Sequence, residues 1–235
     1  QPAAGDNGTS LGAALYVHHQ VDGGPRGHVM RSDALGPEYA EDEIARDLRE
    51  SGVRFERVGD IASACAARIA QGGIVGWFQG RMEFGPRALG QRSILADPRG
   101  KDVKRRLDEQ IKRREPYRPY APAVLASAHH RYFSGPGTSP FMLKSFRVRP
   151  EVRDRIPAVV HADGSARVQT VEPEVRPLFH RLIEAFEAET GVPLVLNTSF
   201  NGRGETMVAT PRDALRCFFS TGLDALAIGP FLVGK

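Results

Sequence analysis

A mixed α/β domain, of the α+β kind, is what this sequence predicts, on three observations. Short apolar runs of strand length alternate along the chain with segments whose apolar residues recur at helical spacing. Polar and glycine-rich turns stand where the apolar runs end, and in α/β folds ligands gather at strand ends. The 235 residues are 41% hydrophobic and 26% charged, a globular composition long enough to bury a real core.

The elements follow in order. Asp6-Asn7-Gly8 is a turn, and Thr9 or Ser10 is placed to cap a short helix reaching Tyr16. Val21–Gly36, rich in Gly, Pro and charge, reads as an exposed connection. Ala40–Glu50 reads as a surface helix, with Ile44 and Leu48 at i, i+4 and acidic residues early. Val53–Val58 alternates like an edge strand, and Asp60 caps a helix over Ile61–Ala70 that Gly72-Gly73 stops. Strands are expected at Ile74–Phe78, Ser93–Ala96 and Tyr120–Leu125. Between the last two, Asp102–Arg113 places Val103, Leu107 and Ile111 on one helical face. Ala128–Phe133 is a short helix closed by a loop at 134–137. Met142–Val148 and Ala158–His161 are strand candidates, the latter joined across Asp163-Gly164 to Arg167–Val171 with hairpin spacing. Pro177–Thr190 is amphipathic with Gly191 beyond its end. Leu194–Leu196 is a buried strand, Pro211–Phe219 a helix, and Ala225–Ile228 and Phe231–Val233 close the chain as strands.

No apolar run approaches the roughly 20 residues that span a bilayer, which argues against a membrane partner. Cys65 and Cys217 lie in apolar helical patterns, as reduced core thiols of a cytoplasmic protein would. The start, QPAAGDNGTS, carries no Met and no leader pattern, so the chain is expected to be cut from a longer polypeptide.

Charge is concentrated. From Arg81 to Arg118 there are 12 Lys/Arg against 6 Asp/Glu, a net +6 in a chain of +4 overall. Arg81, Arg87 and Arg92 lie among Gly80, Gly85, Pro86 and Gly90 between two strands. Guanidinium forks in such backbone suit a phosphate. His161 and Asp163 flank a turn, and period two puts Arg167 and Gln169 on one face of the next strand. That set could hold a small planar group or shuttle a proton. Asn197, Ser199 and Asn201 follow a buried strand, where small hydroxyl and amide groups bond phosphate or ribose oxygens without crowding them. No His/Cys/Asp/Glu set shows metal-ligand spacing. A basic α/β surface also leaves an RNA-binding module open. Against it, Phe84 and Tyr117 are the only aromatic residues of the basic segment, which makes base stacking thin and a nucleic-acid partner the weaker expectation.

Five blocks carry a resemblance, in order: GRMEFGPRALGQRSILADPR, KRREPYRPYAP, VVHADGSARVQTV, PLVLNTSFNGRGE and TPRDALRCFFSTGLDALAIG. They resemble the C-terminal domain of the nodulation- and antibiotic-type O-carbamoyltransferases, from about Gly59 onward. The opening QPAAGDNGTSLGAALY is similar to the end of that family's other half, an actin-like nucleotide-binding domain. The resemblance implies three parts: the end of an actin-like domain over 1–20, a linker with helix and edge strand over 21–58, and a YrdC-like domain over 59–235. The last would be a twisted sheet with flanking helices around a basic cavity. It implies that ATP, with Mg²⁺, and carbamoyl phosphate form carbamoyl-adenylate and pyrophosphate. The protein's own N-terminal domain would then pass the carbamoyl group to a hydroxyl-bearing small-molecule acceptor. Arg87, Lys112 and Ser199 fall on positions lining the carbamoyl phosphate/adenylate site, and Arg118 joins Arg87 and Lys112 as a candidate cationic clamp. Lys112, Arg87 and His161 are the expected catalytic groups, with Arg118, Asp163, Arg167, Gln169, Asn197, Ser199 and Asn201 binding substrate. Asp6 falls where the first domain supplies an aspartate to a metal site, Fe²⁺ being the expected ion, whose other ligands lie outside this sequence.

Overall fold

The structure is a computed structural model and describes residues 1–135 and 137–235, so Pro136, in the loop expected at 134–137, lies outside the described residues. Helix α1 (Thr9–Tyr16) follows a 3₁₀ turn at Asp6–Gly8 and buries no residue. Its N-cap is Gly8 rather than Thr9 or Ser10, because the Thr9 hydroxyl instead donates to the Asp6 carbonyl at 2.8 Å. Helix α2 (Glu41–Glu50) turns Ile44, Ala45 and Leu48 into the core, and the Glu43 carboxylate accepts the Ala40 N–H at 2.8 Å to cap it. Strand β1 (Phe55–Arg57) follows at a sheet edge. Helix α3 (Ile61–Ala70) starts on Asp60, which accepts the Ser63 N–H.

The remaining strands are β2 (Val75–Phe78), β3 (Arg92–Ala96), β4 (Ala121–Leu125), β5 (Lys144–Arg147), β6 (Ser165–Val171), β7 (Leu194–Ser199), β8 (Ala225–Ile228) and β9 (Phe231–Gly234). They form one sheet in the order β1-β9-β8-β2-β3-β7-β4-β6-β5. Only β2/β8 and β4/β6 pair in parallel; the other neighbours are antiparallel. Every residue of β2, β3, β4 and β8 is buried, so these strands read as continuous apolar runs instead of alternating ones. Helix α4 (Lys101–Arg106) and helix α5 (His129–Tyr132) are short. Helix α6 (Pro177–Thr190) lies against α3, with Phe179, Leu182, Ile183 and Phe186 facing inward, and ends at Gly191 with φ +71°. Helix α7 (Pro211–Ser220) opens with a capping box between Thr210 and Asp213.

Three expectations are corrected. Ala158–His161 is not a strand: Pro157–Val159 makes a 3₁₀ turn whose Ala158 N–H goes to the Pro98 carbonyl, and the hairpin partner of β6 is β5. Asp33, inside the supposedly exposed connection, is fully buried against Arg176. The helix expected over Asp102–Arg113 is α-helical only to Arg106. It then widens into a π-helical turn, Leu107–Lys112, and Arg113 leaves it in the left-handed region at φ +44°. That widening matters most for the site. The turn buries Leu107, Asp108, Ile111 and Lys112.

Candidate functional site

Lys112, at the end of the π-helical turn, is brought across to the C-terminal end of β7. Its Nζ donates to the Ser199 carbonyl at 2.5 Å, the Asn201 side-chain carbonyl at 2.7 Å and the Asn201 backbone carbonyl at 3.0 Å, with the Ser199 Oγ at 3.3 Å. The Ser199 hydroxyl itself donates to Asn201 Oδ1 at 2.8 Å. Lys112, Ser199 and Asn201 line a cavity of about 380 Å³ whose other walls include Arg114, Arg118 and Arg203. Burial pushes the Lys112 ammonium down to about 7, and the charge of Arg114 adds to that, against a small opposing pull from Cys217. An anion in the cavity would reverse both effects.

Arg114 leads from this cavity to a second cluster. Its Nε lies 3.3 Å from Asp108 Oδ1, and its guanidinium stands 4.4 Å over the Tyr120 ring. Tyr120 donates its hydroxyl to the same Asp108 oxygen at 2.7 Å. Burial pushes Arg167 down to about 10, with the charges of Arg87 and Arg114 pressing on it as well. Among the described residues, the buried Nε atoms of Arg87 and Arg167 have no hydrogen-bond partner. Like charges gathered with unanswered donors are a configuration that a polyanion completes. Arg87 does not line the Lys112 cavity; its charge and that of Arg114 both act on Arg167.

Of the three arginines set among glycines, Arg87 alone remains for a ligand. Arg81 is exposed and donates to the Leu35 and Gly36 carbonyls. Arg92 is fully buried: it donates to the carbonyls of Gln79, Gln91, Pro37 and Gly80, with its guanidinium 3.6 Å over the Phe78 ring. It is an internal clamp, because these four carbonyls from either side of the turn converge on its guanidinium. Gln169 and Asn197 are buried behind the turn of Arg87. The Gln169 amide donates to the Leu89 carbonyl at 2.8 Å, and Asn197 donates to the Ala88 carbonyl at 3.1 Å and to Gln169 Oε1 at 3.0 Å. Glu83, which the sequence did not single out, holds the same turn from its other side. Its Oε1 accepts the N–H groups of Leu89, Gln91 and Arg92 at 2.8, 2.7 and 3.1 Å. Burial pushes its carboxyl up, and those N–H groups pull it down. Only the folded turn shows what it binds, because its three partners are backbone groups.

His161 and Asp163 border a separate hollow of about 570 Å³, with Lys104, Tyr117 and Pro119. The Ser165 hydroxyl bridges them, 3.2 Å from His161 Nδ1 and donating to Asp163 Oδ1 at 2.7 Å. Burial pushes the imidazole below its ordinary range, Asp163 opposes that, and Arg167 reinforces it. Asp6 is exposed. Among the described residues no group of three or more His, Cys, Asp or Glu is placed to hold a metal. Both cysteines are free and buried, and burial pushes the Cys65 thiol up to about 12 and Cys217 to about 11. Among the described residues no helix is long and apolar enough to cross a membrane.

The depressed Lys112 has a signed consequence. Its ordinary value is 10.5 and burial holds it near 7, so between these the unfolded chain binds the extra proton. This group therefore opposes folding fully below pH 7, and stability gains as pH rises toward 10.5. An anion bound beside Lys112 reverses the linkage, because it holds the proton on. Binding of a phosphate-bearing anion at pH 8 is expected to take up a proton and to weaken as pH rises from 7 to 9. Calorimetry in buffers of different ionisation enthalpy reads that uptake. Affinity unchanged across this range would deny Lys112 a part in binding.

Residues 66–235 match the carbamoyltransferase C-terminus family. The nodulation protein NolO of Bradyrhizobium diazoefficiens is 43% identical over the whole of this chain and 44% of its own length. The 3'-hydroxymethylcephem-O-carbamoyltransferase of Amycolatopsis lactamdurans is 38% identical over 97% of this chain and 42% of its own length. The chain spans less than half the length of the curated relatives it matches. Among solved structures, P. abyssi Sua5, crystallised with L-threonine, superposes with a TM-score of 0.53 over 74% of this chain and 48% of its own, at 14% identity. That likeness is one of fold, the YrdC-like fold.

Proposed function

The chain belongs to the carbamoyltransferase C-terminus family, and from that premise we propose that it binds ATP and carbamoyl phosphate and forms carbamoyl-adenylate. An actin-like N-terminal domain of the full-length, cytoplasmic protein would pass the carbamoyl group to a hydroxyl on a small-molecule acceptor. The observation that carries this is the run of cationic groups from Lys112 through Arg114 and Arg167 to Arg87, two of which keep an unpartnered buried Nε. Two phosphorylated substrates repel one another, and such a run offsets that repulsion.

Carbamoyl phosphate is first split by water to carbamate and phosphate. A carbamate oxygen then attacks the α-phosphorus of ATP, and pyrophosphate leaves with the electron pair of the broken P–O bond. Lys112 is suited to the phosphoryl oxygens as a point charge, supported by Ser199 and Asn201. Arg87 and Arg167 are suited to the second anion as bidentate forks, and Arg118, on the rim of the cavity, to the outer phosphates. His161 is half-buried and neutral at pH 7, which suits it to accept a proton from the attacking water. Mg²⁺ would arrive on the nucleotide, neutralising its phosphates, since it needs few protein ligands.

Calorimetric titration with carbamoyl phosphate and with ATP–Mg²⁺ tests this on the wild type and on Arg87→Ala. The variant is expected to bind carbamoyl phosphate at least about tenfold more weakly, the loss of one charge-assisted pair. Equal affinity in both proteins would remove Arg87 from the site.

A further inference from the structure

We propose that Glu83 is the positioning residue that sets Arg87 in the site, by gathering three backbone N–H groups of the Arg87 turn onto one carboxylate oxygen. The proposal rests on the anion-binding role of Arg87 given above. Glu83 is 4% exposed, and among the described residues its hydrogen bonds come from backbone N–H groups and none from a cationic side chain, although its charge acts on the Arg92 guanidinium. A buried carboxylate away from an arginine or lysine is costly unless backbone donors surround it. Here Leu89, Gln91 and Arg92 supply those donors, and all three lie just after Arg87.

The turn is held on both of its polar faces. Its N–H groups converge on Glu83, and its Ala88 and Leu89 carbonyls accept from Asn197 and Gln169 on β7 and β6. Arg87 directly precedes Ala88, whose carbonyl is held, and Leu89, whose N–H and carbonyl both are, so the backbone from which its side chain leaves has little freedom. Gly90 contributes as well: its φ is +102°, and a Cβ there would lie 2.2 Å from the Phe179 ring. The backbone of Glu83 is itself supported, through a bridge to Ala34 and the Phe84 N–H donated to the Asp33 carbonyl at 2.7 Å. Glu83 Oε2 is buried and, among the described residues, has no partner. One oxygen therefore does all the holding, and replacing the other by an amide leaves the size of the side chain unchanged.

The test is a double-mutant cycle on carbamoyl phosphate binding, measured by calorimetry on the full-length protein. Glu83→Gln keeps an acceptor at Oε1 but removes the charge, and it is expected to weaken binding about tenfold. In an Arg87→Ala background the same substitution is expected to change affinity less than twofold, because the two residues act in series. A purely structural glutamate would lower the melting temperature and leave the affinity of the folded protein alone, or reduce affinity equally in both backgrounds; either result overturns the proposal. If Arg87→Ala weakens binding and Glu83→Gln does not, Glu83 falls and the site stands. If Arg87→Ala binds like the wild type, the site itself is wrong and the proposal goes with it. Amide exchange on the wild type gives a check that needs no variant. The N–H groups of Leu89, Gln91 and Arg92 are expected to exchange at least tenfold more slowly than unprotected amides, and free exchange at all three would overturn the proposal.

Discussion

Lys112→Met is expected to lower carbamoyl phosphate affinity by about 100-fold or more, about 3 kcal/mol, while the protein still folds. Methionine fills much of the volume of the lysine stem, so what disappears is the ammonium, its donors and its charge. Two consequences for stability oppose one another. Burying the ammonium at 6% exposure is costly, and removing it relieves that. Against this, the carbonyls of Ser199 and Asn201 lose their donor. These terms are of similar size, so the net change is expected within about 2 kcal/mol. Calorimetry beside a thermal melt separates the two readouts. A variant that melts normally and binds normally would show that the cavity at the end of β7 is not the phosphate site.

Arg176→Met should do the reverse, with a large loss of stability. Arg176 and Asp33 form a buried ion pair, with Ser32 Oγ accepting from the same guanidinium at 2.8 Å. Asp33 is wholly inaccessible to water. Taking the arginine away strands a buried carboxylate, which costs about 3–5 kcal/mol. For a chain of this length each kcal/mol corresponds to about 2–4 °C in Tm, so a fall on the order of 10 °C is expected. Adding Asp33→Asn should recover part of the loss, since an amide needs no counter-charge. A fall of less than about 2 °C in the single variant would mean that water or another cation reaches Asp33. The pair also ties the segment before α2 to the start of α6, beside the bridge between Ala34 and Glu83.

Most of the architecture was legible because local rules and tertiary demands agreed. Asp60, Gly191 and Pro211 mark helix ends by chemistry that acts over a few residues, and the structure places those ends there. The failures came where distant atoms decide. Ala158–His161 has the apolar content of a strand, but Pro98, some sixty residues away, accepts the Ala158 N–H and bends it into a turn. Arg92 was indistinguishable from Arg87 by spacing, yet Arg92 is fully buried with its guanidinium donating to four carbonyls, while Arg87 is only half-buried. Spacing alone does not show that Lys112 is buried, because a period of 3.6 assumes a regular helix and the chain here makes a π-helical turn. The resemblance pointed to Arg87, Lys112 and Ser199 together, and the structure joins the last two directly, while the charge of the first acts on Arg167. Glu83 had no legible signal at all, since its partners are backbone groups.

The strand order has a temporal side. Val75 pairs with Ala225 and Phe55 with Val233, so each flank of the first sheet half comes from chain separated by about 150 residues or more. Until β8 and β9 are made, β2 presents an apolar, unpaired border, the kind of surface on which nascent chains stick to one another. Closure of such long loops is slow relative to helix formation. Synthesis of this polypeptide therefore passes through a stage in which β1 and β2 wait for residues 225–234, and chaperone capture would matter most during that wait.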